Sequence, residues 1–187
     1  LPQRDLTGFN GSRYFGALLF GFEFRHLVYS LLGPRCRLHD FTLEGVLENH
    51  KVALLSRKLD LRADLQPVKL SGDKEKLRIL VDNLVSNAIK YSPDGSPLWV
   101  LLYTRDATAI IEVSDNGPGI SLAERERVFE AFYQGAPAAR GHVRGTGLGL
   151  SISREYAQAH GGEIVVLNSG KTGGARLQVT LPLDQGS

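Results

Sequence analysis

The sequence predicts a two-layer α/β sandwich, in which one mixed, mostly antiparallel sheet is covered by helices. Segments with apolar residues at helical spacing predict the helices. Short β-rich runs between them predict the strands, and two adjacent runs favour a hairpin. The chain has 187 residues, of which 42% are hydrophobic and 22% are charged. This length suits one large domain, or one domain of about 150 residues with an appendage.

The folded domain is predicted to begin at residue 40, which leaves 1–39 as an N-terminal segment. A helix is expected from Asp40 onward, since Thr42 can cap it and apolar positions share one face. Those positions include Leu43, Val46, Leu47, His50 and Leu54. The run Leu59–Ala63 then alternates as a strand does.

The clearest helical pattern covers residues 73 to 90, after Gly72 and Asp73. Its apolar residues recur with a period of about 3.6; they are Leu77, Leu80, Val81, Leu84, Val85 and Ala88. Asp94 and Gly95 predict a turn. The runs Leu98–Tyr103 and Ala109–Val113 then predict a hairpin that leads to Asp115.

The last third of the chain predicts two more helices and two strands. A helix is expected over Leu122–Ala131, and the small residues Gly135–Ala139 are expected to be mobile because they offer little apolar surface. Another helix is expected over Leu148–His160, since Gly161 and Gly162 are typical of a helix end. The final strands are predicted at Glu163–Leu167 and Ala175–Leu181.

Composition excludes several classes of protein. A net charge of +2 is too small to indicate a nucleic-acid partner. The single cysteine, Cys36, excludes an internal disulfide framework. The apolar run Tyr14–Phe24 is about half the length that a membrane span needs. Because the chain begins at Leu1 without a leader pattern, we expect it to be a fragment of a longer protein.

Four motifs carry the functional signal. They are Asn83–Tyr91 (NLVSNAIKY), Asp115–Ile120 (DNGPGI), Val128–Phe132 (VFEAF) and Gly145–Leu150 (GTGLGL). Each motif alone has an ordinary structural explanation, such as a solvated helix face or a turn. Their order and spacing together predict a nucleotide site.

Two of the motifs have side chains suited to phosphate and metal. Asn83 and Asn87 are four residues apart on the predicted helix and therefore project from one face, with Lys90 one turn further along. An amide oxygen together with phosphate oxygens is a plausible Mg²⁺ shell. The glycines of Gly145–Gly149 open a helix whose free N–H groups can hold phosphate. No Gly-Lys-Ser/Thr follows, so this is not a Walker A loop.

A third motif suits a purine base. Asp115 follows a strand and precedes Gly117 and Gly119, which allow the backbone to approach a flat ring. A carboxylate there can accept a hydrogen bond from the exocyclic amine of adenine. Guanine has a carbonyl at that position, so GTP would lose the bond at a cost of roughly 1–3 kcal/mol. ATP is therefore predicted to bind better than GTP.

Together, the four motifs resemble the N, G1, F and G2 boxes of the catalytic ATP-binding domain of sensor histidine kinases. That domain belongs to the wider ATPase group of DNA gyrase, the Hsp90 chaperones and the MutL proteins. The resemblance covers roughly residues 40 to 184. It implies a Bergerat-type fold, ATP and Mg²⁺ as ligands, and a mobile ATP lid between Gly119 and Gly145. It also implies that 1–39 is a linker or the remnant of a dimerisation helix.

The resemblance implies roles for individual residues. Asn87 would be the metal ligand, Lys90 would neutralise phosphate charge, Tyr91 would line the nucleotide and Asp115 would bind adenine. Catalytic roles are implied for Asn83, Lys90 and Arg144, with Arg140 and Arg144 donating to the γ-phosphate. Asn83 is also expected to contact the nucleotide, together with Gly117, Gly119, Ile120, Phe132, Gly145, Thr146, Gly147, Leu148 and Gly149. Phe129 and Phe132 would pin the base of the lid by packing.

Asn83 stands where gyrase-like hydrolases of this group have a glutamate base, which argues against a fast ATPase. Phosphoryl transfer to a histidine is the activity that the resemblance implies. The acidic residue and Arg-Thr-Pro that usually follow an acceptor histidine are missing at every histidine of the chain: His26, His39, His50, His142 and His160. The acceptor is therefore expected on a dimerisation domain missing from this chain.

The expected partners are that dimerisation domain and the receiver domain of a response regulator, within a homodimeric full-length protein. No nucleic acid and no direct membrane contact are expected. The location would be the cytoplasmic side of an inner-membrane bacterial receptor. Two alternatives remain open: a serine kinase of the anti-sigma type, and a nucleotide-gated protein-interaction module without phosphoryl transfer.

Overall fold

A single mixed sheet of five strands organises the fold. The computed structural model describes residues 43–70, 72–135, 145–168 and 173–183. The strands are β1 (Asp60–Leu65), β2 (Pro97–Arg105), β3 (Thr108–Ser114), β4 (Glu163–Val166) and β5 (Arg176–Pro182), in the spatial order β1-β2-β3-β5-β4. Only the β1–β2 pair is parallel within this sheet. The predicted mixed, mostly antiparallel sheet and the β2–β3 hairpin are confirmed.

Helices cover one face of the sheet. They are α1 (Leu43–Asn49), α2 (Lys51–Ser56), α3 (Lys74–Tyr91) and α4 (Gly149–Ala159). The start of α3 is fixed by Asp73, whose carboxylate accepts the N–H groups of Glu75 at 3.0 Å and Lys76 at 3.2 Å. Its end is fixed by Ser92, whose hydroxyl donates to the carbonyl of Ala88 at 2.7 Å.

The hydrophobic core lies between the helices and the sheet. Alternate strand positions point into it, among them Leu98, Val100, Leu102, Ile111, Val113, Val179 and Leu181. The apolar stripe of α3 meets them, and Leu80 and Leu84 are fully buried there. Burying a side chain of this size stabilises the fold by about 1.5–3 kcal/mol. The core therefore holds α3, which carries the first motif, against the sheet.

His160 joins the two long helices at one end. Its Nε2 accepts the N–H of Asp73 at 3.0 Å, and its Nδ1 donates to the carbonyl of Tyr156 at 2.7 Å. One ring nitrogen donates while the other accepts, which requires a neutral imidazole. Gly72 leaves room for the ring, because a Cβ there would lie 2.7 Å from Nε2.

Two predicted helices differ in the structure. The helix expected from residue 40 is two helices separated by a turn at His50, whose Nε2 lies 2.9 Å from Asp82 Oδ1 on α3; residues 40–42 lie outside the described ranges. The helix predicted over Leu122–Ala131 is wrong. Two 3₁₀ turns stand there, Leu122–Glu124 and Arg127–Phe129. This segment buries Phe129 alone in those turns, so it has no apolar face to hold a helix in place.

One smaller difference concerns a strand boundary, and two predictions fall on residues outside the described ranges. The first strand begins and ends slightly later than predicted, because its pairing with β2 extends to Leu65. The N-terminal segment 1–39 and the predicted mobile stretch from residue 136 onward lie outside the described residues.

Candidate active site

Asp115 is the buried acid of the site. It follows β3, its side chain is 6% exposed, and its Oδ1 accepts the N–H groups of Gly117 at 2.7 Å and Ala175 at 3.0 Å. Within the described residues, no partner is recorded for its second oxygen. Burial raises the pKa of Asp115 above its ordinary value, and the two N–H bonds only partly oppose this rise. One carboxylate oxygen is thus fixed, while the other remains available to a ligand donor.

Several backbone segments pass close to one another around Asp115, and glycines stand at the points of contact. A Cβ on Gly117 would lie 2.7 Å from the carbonyl oxygen of Tyr91, and one on Gly119 would lie 2.6 Å from that of Gly173. A Cβ on Gly174 would collide with the carbonyl of Asp115. These glycines therefore leave room for neighbouring backbone, and the predicted approach of Gly117 and Gly119 to a nucleotide ring stays a prediction. The two glycines before β5 were missed in the sequence, although a Gly-Gly pair ahead of a strand is itself a signal of close backbone contact.

Asn83 and Asn87 lie on α3 and are both half-buried. Asn83 Nδ2 donates to the carbonyl of Gly149 at 3.0 Å and lies 3.4 Å from Ser153 Oγ. This contact ties α3 to the start of α4 and was not predicted. No partner is recorded for the Asn87 amide within the described ranges, which leaves its oxygen available as a ligand.

Lys90 brings the first and last motifs together. A Cβ on Gly145 would lie 2.7 Å from Lys90 Nζ, so the ammonium group sits directly against the beginning of the glycine-rich run. The same ammonium lies 5.1 Å from the centre of the Tyr91 ring. A cation is thereby placed beside the N–H groups that precede α4.

The glycine-rich run Gly145–Gly149 leads into α4. Gly147 has φ +73°, and a Cβ there would lie 2.6 Å from the carbonyl carbon of Phe132. The Phe132 N–H donates to the Gly147 carbonyl at 3.0 Å. The residue before α4 is Leu148, whose side chain cannot cap the helix, and no capping hydrogen bond is found there among the described residues. Uncapped N–H groups at a helix start are suited to binding an anion.

The two phenylalanines of the third motif behave differently. Phe129 is 5% exposed and packs in the core, which confirms that it pins the segment. Packing by Phe132 was predicted as well and is wrong, because this ring is 72% exposed. Its residue has φ +64° and is held by the backbone bond to Gly147 instead. Whether the exposed ring contacts nucleotide stays a prediction, as do the roles of Ile120 and Thr146.

Arg154 on α4 also holds this segment. Its guanidinium lies 4.1 Å from the centre of the Phe129 ring and 2.9 Å from Glu126. No pattern in the sequence indicates a role for this residue, since a lone arginine on a helix is usually solvated. Arg140 and Arg144, expected to reach the γ-phosphate, lie outside the described residues.

Arg57 is a second arginine that sequence reasoning missed. Its guanidinium donates to the carbonyl oxygens of Ile89, of Lys90 at 3.0 Å and of Ser92 at 2.7 Å. Its Nε donates to Asp94 at 2.9 Å. A cation at a helix C-terminus satisfies carbonyls that have no partner within the helix. Arg57 therefore fixes the end of α3, where Lys90 and Tyr91 are located.

No cluster of three or more His, Cys, Asp or Glu side chains suited to a metal occurs in the described segments. In those same segments, every helix is too short or too polar to cross a membrane.

A family model described as "Histidine kinase-, DNA gyrase B-, and HSP90-like ATPase" matches residues 72–185. The chain belongs to this family. The match spans all four motifs but not the part of the predicted domain before residue 72. It confirms the resemblance inferred from the boxes, and the ATPase family identifies the domain as ATP-binding.

Relatives of this ATPase domain are sensor kinases. The chain is 44% identical over 117 residues to the sensor protein SphS of Synechococcus elongatus, a match that covers 59% of this chain and 28% of the relative. It is 41% identical over 128 residues to the histidine protein kinase DivJ of Caulobacter vibrioides, and this match covers 66% of this chain and 21% of the relative. The chain therefore spans about a quarter of the length of these curated relatives.

The solved structure of a sensor histidine kinase supports the fold. The mycobacterial sensor histidine kinase MprB matches with a TM-score of 0.67 and 32% identity, over 74% of this chain and 93% of the other. The α/β sandwich of the histidine-kinase type is thereby confirmed.

Proposed function

We propose that this chain binds ATP with Mg²⁺ and donates the γ-phosphoryl group to a histidine of a dimerisation domain outside the chain. A response-regulator receiver domain would then take the phosphoryl group. One arrangement carries the proposal. The buried carboxylate of Asp115 lies near the C-terminal end of α3, and Lys90 at that same end contacts the glycine-rich run before α4. The family and its sensor-kinase relatives support the same reading.

The adenine end of the proposed site is Asp115. Its fixed Oδ1 leaves the second oxygen to accept the adenine amine, with glycine backbone on either side of the ring. Tyr91 follows Lys90 and is partly exposed, as a side chain that lines a nucleotide would be. Guanine would place an acceptor against the carboxylate, so GTP should bind more weakly.

The phosphate end combines three sources of positive charge. Lys90 supplies an ammonium, the uncapped start of α4 supplies N–H groups, and Arg140 and Arg144 would add guanidinium donors. Asn87 would hold Mg²⁺ through its amide oxygen, which fits a cation that keeps waters and phosphate oxygens as its other ligands. The cation would neutralise charge on the transferring phosphoryl group.

The chemistry is phosphoryl transfer by positioning. A ring nitrogen of the acceptor histidine attacks the γ-phosphorus, the bond to the β–γ bridging oxygen breaks, and ADP leaves. Asn83 offers no carboxylate to deprotonate water, and its amide nitrogen is occupied by Gly149. We therefore expect slow hydrolysis of ATP, which preserves the γ-phosphoryl group for the histidine.

The remaining parts of the proposal concern the longer protein. The relatives are named as sensor kinases and are several times longer than the matched region. A homodimer with its ATP-binding domains on the cytoplasmic side of a bacterial inner membrane is the arrangement that we propose.

Calorimetric titration tests the binding step. MgATP and MgGTP are titrated into the full chain, its Asp115→Asn variant and its Asp106→Asn variant. Asp106 is an exposed acid in the β2–β3 turn with φ +49°, a conformation that asparagine tolerates. We expect MgATP to bind the wild type and Asp106→Asn alike, with at least a tenfold loss in Asp115→Asn. Equal binding by all three chains would contradict the adenine assignment.

A labelling experiment tests the transfer step. The chain is incubated with [γ-³²P]ATP and a separately expressed, histidine-bearing dimerisation domain of a sensor kinase. We expect label on that domain that is stable in alkali and lost in acid, as for phosphohistidine. Acid-stable label would favour the serine kinase. Tight MgATP binding without transfer to any acceptor domain would favour the nucleotide-gated interaction module.

A further inference from the structure

The last turn of α3 carries two residues of the proposed nucleotide site, Lys90 and Tyr91. The final carbonyl groups of a helix have no partner within it, so the position of this turn depends on groups from elsewhere. Ser92 supplies one cap, since its hydroxyl and its N–H both donate to the carbonyl of Ala88. That cap leaves the carbonyls of residues 89–92 to be held by other parts of the chain.

Arg57, which directly follows α2, holds three of these four carbonyls. Its Nη1 donates to the carbonyl oxygens of Ile89 and, at 3.0 Å, of Lys90. Its Nη2 donates to the carbonyl of Ser92 at 2.7 Å. Its Nε donates to Asp94 Oδ1 at 2.9 Å, and Nη2 lies 2.8 Å from the same oxygen. The whole guanidinium fork is therefore engaged at the end of α3.

The fourth carbonyl, that of Tyr91, contacts a different segment. A Cβ on Gly117 would lie 2.7 Å from its oxygen, so this carbonyl packs against the glycine loop that follows Asp115. The carbonyls before and after Tyr91 are the ones that Arg57 binds. Arg57 therefore fixes the backbone on either side of Tyr91, at the point where α3 meets that loop.

Lys90 extends from the same turn toward the glycine-rich run. Its ammonium lies 5.1 Å from the centre of the Tyr91 ring, and a Cβ on Gly145 would lie 2.7 Å from its Nζ. Helix ends fray most readily, so a last turn with fewer partners would let this ammonium leave its place. A misplacement of about 1 Å in a site of this kind can cost about a hundredfold in rate. The contacts of Arg57 therefore bear on function as well as on the fold.

We propose that Arg57 is a positioning residue of the nucleotide site. It acts through the backbone of α3, and it holds Lys90 against the phosphate groups and Tyr91 beside the nucleotide without contacting the ligand itself. This inference rests on the proposed function, and it assigns a role to a residue outside the four motifs and outside the matched region 72–185. Because Asp115 recognises the base, loss of Arg57 should weaken MgATP and MgGTP binding by the same factor.

Calorimetric titration of both nucleotides into the full chain tests this role with Arg57→Met, which keeps an apolar stem and removes every donor. The matched control is Arg62→Met, which removes the same charge. Arg62 donates to Asp60 at 2.9 Å, and no bond from it to α3 is found among the described residues. A second control, Asp94→Asn, keeps an oxygen acceptor for Arg57. We expect Arg57→Met to lose about tenfold in affinity for both nucleotides, and both controls to bind as the wild type does.

A double-mutant cycle with Lys90→Met separates positioning from a general effect on the fold. Residues that act through one another are not additive, so Arg57→Met should cost at most about threefold in the Lys90→Met background. The full tenfold loss in that background would contradict the proposal, because Arg57 would then act without Lys90. Circular dichroism verifies that each chain is folded.

A folded Arg57→Met chain that binds MgATP as tightly as the wild type would overturn this inference and leave the proposed function intact. A wild type that binds no MgATP would contradict both. If Arg57→Met does not fold, ¹⁵N NMR of the Arg57 Nε–H in the wild type decides. Slow exchange with water that becomes slower with MgATP supports the inference, and an exchange rate that MgATP does not lower contradicts it.

Discussion

At the residue scale, Asp115 combines a role in the fold with the proposed recognition of adenine. Its Oδ1 joins two loops by accepting the N–H groups of Gly117 and Ala175. An asparagine could keep both bonds through its own oxygen. Its NH₂ group would then replace the oxygen that faces the ligand. The same substitution should therefore spare the fold and remove binding, which separates the two roles.

The first prediction concerns the pH dependence of stability. The pKa of Asp115 is raised in the folded state from its ordinary value of 3.8, so the folded chain binds the proton more tightly than the unfolded one. The contribution of this group to stability is fully present below 3.8 and is lost as pH rises through the folded pKa. The Asp115→Asn variant does not lose this stability as pH rises, because its amide side chain does not ionise. Urea unfolding across this pH range should show the variant gaining stability relative to the wild type as pH rises.

Asp106→Asn serves as the control, because Asp106 is exposed in a turn. Its unfolding curve should follow that of the wild type at each pH. A wild type that gains stability relative to Asp115→Asn as pH rises would contradict the sign of the effect.

The second prediction separates backbone conformation from close packing at two glycines. Gly147 has φ +73° and Gly173 has φ +75°, but a Cβ at Gly147 would strike Phe132 while one at Gly173 would have open space. Gly173→Ala should cost about 1–2 kcal/mol for the left-handed conformation alone. Gly147→Ala should cost about 1–3 kcal/mol more, because Phe132 must move. Urea unfolding measures both, and equal losses would contradict the close contact.

At the element scale, two 3₁₀ turns stand where a helix was predicted over Leu122–Ala131, and the exposed Phe132 follows them. Tertiary contacts replace local hydrogen bonding in this segment. Phe129 packs into the core, Arg154 lies over its ring, and the Phe132 N–H bonds to Gly147. The segment therefore depends on α4 for its position, and the start of α4 depends in turn on Asn83 of α3.

The third prediction tests this dependence. Arg154→Gln removes the guanidinium from the Phe129 ring and from Glu126, and should destabilise the fold by about 1 kcal/mol. Hydrogen exchange at Arg127–Tyr133 should become faster than in the wild type. The control Glu126→Gln removes only an ion pair to an exposed carboxylate and should cost less than about 0.5 kcal/mol. Equal effects of the two changes would show that the ring contact contributes nothing.

At the scale of the whole molecule, both ends of α3 are held by residues of other elements. Arg57 holds the C-terminal end of that helix, and His160 joins its N-terminal end to α4. A ligand that bridges Asp115 and the start of α4 should therefore stabilise the whole domain, because unfolding of either region would release it.

The fourth prediction follows from this linkage. At a ligand concentration about 100 times the dissociation constant, binding adds about 2.7 kcal/mol to the free energy of unfolding. MgATP should raise the unfolding midpoint of the wild type by a corresponding amount, and MgGTP should raise it less. Asp115→Asn should show a clearly smaller shift at the same MgATP concentration, because a tenfold loss of affinity leaves a stabilisation of at most about 1.4 kcal/mol. A shift in that variant equal to the wild type would contradict the coupling of the site to the fold.

The sequence by itself determined the class of fold, the long helix α3, the β2–β3 hairpin and the nucleotide-binding family. These follow from short-range patterns: apolar spacing along one helix, alternation along one strand, and glycines at turns. The positions of Asp115 and of the glycines beside it were also predictable. Each stands in a motif whose neighbours along the chain explain it.

Only the tertiary structure decided which distant residues meet. The contacts of Arg57 with the end of α3, of Gly174 with Asp115 and of Lys90 with Gly145 join residues that are far apart in the chain. The same holds for the parallel pairing of β1 with β2 and for the turns that replaced a predicted helix. A local pattern indicates the secondary structure that one segment favours. These features depend instead on the free energy of packing several segments together. Such energy is a property of the assembled core and has no signature in any single stretch of sequence.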